Sequence, residues 1–107
     1  MLPRSAYEAI VATVADYERM KKTLETASLS REQMIALMKR VDAVENAICA
    51  VCEGEPYAAG QALLRDIANH RGFERSEAKK YYPVLTTYER RKRDAIRTIG
   101  KMLGIIV

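Results

Sequence analysis

The chain has 107 residues, of which 49% are hydrophobic and 30% charged, with a net charge of +4. That balance excludes a disordered polyampholyte and suits a helical core with a well-solvated surface. No run of about 18 apolar residues is present and the start is not basic-then-apolar, so neither a membrane span nor a signal peptide is expected, and a cytoplasmic protein is.

The elements are predicted in chain order from capping boxes and apolar spacing. Ser5-Ala6-Tyr7-Glu8 is a capping box that opens a helix running to about Thr26. Its inward positions are Tyr7, Ile10, Val11, Val14, Tyr17 and Leu24. Ser30 with Gln33 opens a second helix, stopped near Glu53 by Gly54. Met34, Leu37, Val41, Val44, Ile48 and Val51 step by three and four along it, an a/d seam. The short connection favours an antiparallel hairpin over residues 1–54. Ile35, Met38 and Ala50 widen the stripe, so one face of the second helix could serve the hairpin and another a second subunit. The seam from Met34 to Val51 is more regular than a monomeric hairpin needs, and it is the candidate surface for a homodimer.

Pro56 suits the first turn of a third helix, with Leu63, Leu64, Ile67 and Ala68 buried and Gly72 ending it. A short helix over 75–82 is expected to stop at Pro83. The last helix should start at Thr86 or Thr87, with Thr86 and Glu89 forming a third capping box, and end at Gly104. Its inward positions are Tyr88, Ala95, Ile96, Ile99, Met102 and Leu103. No strand alternation is present. The predicted fold is all-α, an N-terminal helical hairpin followed by a helix-turn-helix unit over residues 55–107.

Charge is unevenly placed. Residues 1–54 hold seven Lys and Arg against eight Asp and Glu, whereas residues 55–107 hold eleven against six. Arg93, Arg97 and Lys101 step by four along the last helix, with Arg90 beside them and Arg91 flanking. Lys79 and Lys80 add charge before the turn. Such a stripe suits phosphates and guanine edges, and Thr86 and Thr87 stand where a recognition helix meets bases. The partner expected is double-stranded DNA. Arg91 and Thr87, in the first turns, are the candidates for reading bases. A solvated basic face is the competing reading, since Asp94 can pair with Arg90 or Arg97.

Other chemistry finds little support. Cys49 and Cys52 have CxxC spacing, but no second pair exists and His70 is the only histidine, so two small buried apolar residues are expected rather than a metal site. His70 reads as a residue of the third helix's C-terminus. Phosphate-binding loops and HExxH are absent, and serines fall mostly at caps. No catalytic residue, cofactor or metal is expected, and the chain is read as not an enzyme. Tyr81 and Tyr82 read as packing against the last helix before any contact with a base.

The segment Thr87-Tyr88-Glu89-Arg90-Arg91-Lys92-Arg93-Asp94-Ala95-Ile96, continuing to Gly100-Lys101-Met102-Leu103-Gly104, resembles the C-terminal signature of the ArpU/RinA-type phage transcription regulators. There a helix opens on Thr-Tyr, runs through Arg and Lys to Ala-Ile, and closes on Leu-Gly. The likeness is clearest over residues 84–105, and Val41 to Ile48 is similar to the helix that precedes the DNA-binding unit in that family. The resemblance implies a helix-turn-helix like sigma-factor region 4, control of late phage genes, and a phage or prophage origin; on that reading the hairpin of residues 5–53 would provide dimerisation or a contact with RNA polymerase. The family's Gly-Ile-Ser turn is replaced here by Tyr82-Pro83-Val84. The alternative is a non-enzymatic helical interaction or assembly protein: a phage packaging subunit, an antitoxin-like partner or a scaffold.

Overall fold

A computed structural model describes residues 2–107. It is all-α, with no strand among the described residues. Helices α1 (Arg4–Thr26), α2 (Arg31–Val51), α3 (Tyr57–Ala68) and α4 (Leu85–Met102) are joined by short turns, except that two 3-10 turns, Phe73–Arg75 and Ala78–Lys80, lie between α3 and α4.

Of the three capping boxes, one forms. Gln33 N–H donates to Ser30 Oγ at 3.2 Å, and Ser30 N–H donates back to Gln33 Oε1 at 3.0 Å. The first box does not form, because α1 starts two residues early. Pro3 takes the cap position and its carbonyl accepts from Tyr7 N–H at 3.0 Å. Ser5 is then already helical and cannot cap. Glu8 instead meets Arg4 at 2.9 Å. The Thr86–Glu89 box is likewise absent, since α4 opens at Leu85 with Val84 as its cap. Pro56 caps α3 from outside rather than sitting in its first turn.

The end of α3 comes earlier than Gly72. His70 adopts φ 54°, and Arg71 N–H closes on the Asp66 carbonyl at 2.9 Å. This is a Schellman stop with histidine in the left-handed position usually given to glycine. Gly54, at φ 80°, lies just beyond the end of α2 as its place in the sequence suggests.

One core serves the whole chain. Ile10, Val14, Tyr17 and Met20 of α1 meet Val44 and Ile48 of α2, Leu63 and Ile67 of α3, and Tyr88, Ala95 and Ile99 of α4. Each such large side chain, taken fully out of water, contributes ~1.5–3 kcal/mol. The main neighbour of α4 is α2, then α1; α3 lies chiefly on α1. The predicted boundary at residue 54 is thus no boundary in the core. In place of the short helix expected before the Tyr82-Pro83-Val84 turn, two 3-10 turns stand between α3 and α4. The 16-residue connection 69–84 separates these helices, and the apolar faces of both are spent on the hairpin.

Two close approaches set the packing. Gly60 admits Ile48 between α2 and α3, where an added Cβ would stand 3.1 Å from its Cγ1. Gly100 admits Ile10 and Ile106, at 2.6 and 3.1 Å from the same hypothetical atom.

The hairpin outruns this core. No residue from 21 to 40 is buried, and the molecule measures 45 × 29 × 24 Å. Of the predicted seam, Val41, Val44 and Ile48 are buried in the chain's own core, Leu37 and Val51 are half-buried, and Met34 is exposed. The seam's inner part therefore faces this chain, not a second one. Tyr7 and Met102, expected inside, are 40% and 47% exposed. Cys52 is buried but Cys49 is exposed, so the two do not form a pair of buried apolar residues.

Candidate nucleic-acid interface

The position of α4 follows from its apolar positions. Tyr88, Ala95, Ile96 and Ile99 are buried, which turns the opposite face to solvent. On that face Thr86, Arg90, Arg93, Arg97 and Lys101 are all exposed. They span sixteen residues, about 22 Å of helix from first to last. None of the four cations has a carboxylate partner among the described residues. Asp94 lies half-buried at the edge of the stripe without pairing Arg90 or Arg97. The field of the stripe is therefore undiminished by salt bridges.

The other expected residues are placed elsewhere. Arg91 is turned inward: its Nη2 lies 3.4 Å from Glu55 Oε2, and its Nε is buried without a hydrogen-bond partner. It ties α4 to the α2–α3 corner, so it is not a base reader. Thr87 is half-buried. Lys79 lies 3.8 Å from Glu74 and over the Phe73 ring at 4.7 Å; Lys80 is exposed, over the Tyr81 ring at 5.2 Å. Both belong to the turn packed against α3 rather than to the stripe. That turn is not the short helix expected over 75–82.

Asp66 explains why. It is fully buried on α3. Its carboxylate accepts from Ser76 Oγ, from Glu77 N–H at 2.9 Å, from Ala78 N–H at 3.3 Å and from the Tyr88 hydroxyl at 3.2 Å. The two backbone donors would otherwise feed a regular helix; the carboxylate claims them and folds the segment into 3-10 turns. Arg71 closes the arrangement. Its guanidinium meets Glu77, and its carbonyl accepts from Lys92 Nζ at 2.7 Å. Burial pushes the Lys92 ammonium below its usual range. Glu77 is held below the ordinary carboxylate value, first by the Arg71 hydrogen bond and then by Arg65. Sequence reasoning missed Asp66, although a polar residue three positions after Leu63, inside an apolar stripe, was the signal.

Tyr82 fixes the other end of the connection. Its hydroxyl donates to Glu55 at 2.8 Å and touches Cys52 Sγ at 3.2 Å, and burial raises both groups' pKa values. Cys52 is thus a buried thiol, and among the described residues no cluster of His, Cys, Asp or Glu could hold a metal. His70 is exposed. Beside the stripe lies an open cleft of about 880 Å³, with Tyr7, Phe73, Leu85 and Ile96 in its wall and Arg93 and Arg97 at its edge. Among the described residues, no helix is long and apolar enough to cross a membrane.

Comparison with family models, with curated proteins and with solved structures finds no match for this chain.

Proposed function

We propose that this chain is a DNA-binding regulator of transcription of the phage type. The observation that carries the reading is the stripe of Thr86, Arg90, Arg93, Arg97 and Lys101, exposed along one face of α4 and without carboxylate partners among the described residues. Guanidinium and ammonium groups in a row neutralise backbone phosphates, and a helix fits the major groove, about 12 Å wide. The likeness of residues 84–105 to the ArpU/RinA regulators supports the same reading, with the hairpin of residues 5–53 left for dimerisation or a contact with RNA polymerase.

The competing reading is a helical interaction or assembly protein, such as a packaging subunit, an antitoxin-like partner or a scaffold. The connection before α4 favours it, because two 3-10 turns stand where the short helix ahead of the Tyr82-Pro83-Val84 turn is expected.

Electrophoretic retardation on phage DNA at two salt concentrations separates the two. Changing Arg90, Arg93 or Arg97 to Ala is expected to lower the salt slope of log K by about one unit each, on every sequence. A base-reading residue would instead cost roughly 1–3 kcal/mol on one site. Failure of the unaltered protein to retard any duplex at about 50 mM salt overturns the DNA reading.

A further inference from the structure

The part of α2 that outruns the core carries an apolar face with nothing packed on it. Ile35 and Met38 are 48% and 46% exposed. Arg31 and Asp42, also exposed and in no ion pair among the described residues, flank them. At about 100° per residue, these four positions fall within about 60° of arc, opposite the face that buries Val44, Ala47 and Ile48. They form a straight stripe of about 16 Å.

The order along the stripe is positive, apolar, apolar, negative, and it is symmetric about the midpoint between Ile35 and Met38. We infer that a second copy of this chain docks on this face, α2 against α2, antiparallel about a two-fold axis at that midpoint. Ile35 of each copy then lies over Met38 of the other, and Arg31 of each faces Asp42 of the other. A two-fold contact must be self-complementary, and this stripe is. At a shallow helix crossing of about 20°, the charged ends stay within reach of the long arginine side chain. A parallel pairing would set Arg31 against Arg31 and Asp42 against Asp42, so the charges select the direction.

The contact is small. Three helical turns a side lie below the roughly 1,200 Å² of a standard interface, so the dissociation constant falls on the order of 10 µM or above. This is a different face from the a/d seam, whose inner residues the core consumes. It does not depend on the DNA reading, and the test contains no DNA.

Sedimentation equilibrium at low salt, with circular dichroism to verify folding, reads the association. All four residues are exposed, so their variants should fold. The wild-type protein is expected to dimerise, and Ile35→Asp to abolish dimerisation. R31E alone and D42R alone each place like charges across both ends of the contact and should weaken self-association at least about tenfold. Mixed in equal amounts, the two variants place opposite charges at both ends and should form a heterodimer near wild-type strength. A protein that stays monomeric to about 500 µM overturns the proposal. So does a dimer indifferent to Ile35→Asp, and so does a mixture that fails to recover, since either would locate the contact elsewhere or in another register.

Discussion

Asp66 shows how one side chain decides the course of a segment. Removing this buried carboxylate strands the Ser76 hydroxyl and Glu77 N–H, while Ala78 N–H keeps Ser76 Oγ at 2.9 Å and the Tyr88 hydroxyl keeps the Arg71 carbonyl at 3.4 Å; each stranded group costs about 1–3 kcal/mol. Asp66→Ala is therefore expected to destabilise the fold by ~2–4 kcal/mol in a thermal melt. Asp66→Asn should recover only part, because one acceptor oxygen becomes a donor facing N–H groups. A loss below about 0.5 kcal/mol would mean that the turn holds without its carboxylate. Glu77, on the same turn, gives a pH-dependent effect. Its folded pKa lies below its ordinary 4.5, so the stability it lends is complete above that value and is lost as pH falls through the folded pKa. Glu77→Gln is expected to flatten the acid limb of a denaturation midpoint measured against pH. Equal acid slopes in the two proteins would remove the Arg71–Glu77 contact from the account.

At the scale of the element, the N-termini of the helices differ in what holds them. The reciprocal box at Ser30 satisfies two backbone donors, whereas Ser5 lies inside the first turn of α1 and caps nothing. Ser30→Ala is expected to cost about 1 kcal/mol and Ser5→Ala less than about 0.5 kcal/mol, read as shifts in denaturant midpoint. Equal losses would restore the first capping box. Helix α4 divides its cations by direction. Arg90, Arg93, Arg97 and Lys101 point to solvent, while Arg91 and Lys92 are spent on Glu55 and on the Arg71 carbonyl.

For the whole molecule, the consequence is a single cooperative unit. α4 leans on α2 and α1, so residues 55–107 lack the surface on which their own apolar faces are buried. The fragment 55–107 alone is expected to be largely unfolded by circular dichroism, and the full chain to melt in one transition. A fragment with native-like helicity and a sigmoidal melt would make the DNA-facing half an independent domain.

What the sequence determined by itself was the class and the faces. Periodicity three-and-four long placed the four helices within a few residues and assigned Val14, Ile48, Leu63 and Ile99 to the core, because amphipathic spacing is a local property of each helix. The same spacing placed the cations of α4 on one face. Only the tertiary structure decided which apolar face met which. It consumed the inner seam of α2 in this chain's own core, turned Arg91 to Glu55, and let Asp66 draw residues 76–78 out of a helix. Those outcomes depend on groups brought together from positions ten to forty residues apart, and no local pattern carries the identity of a distant partner.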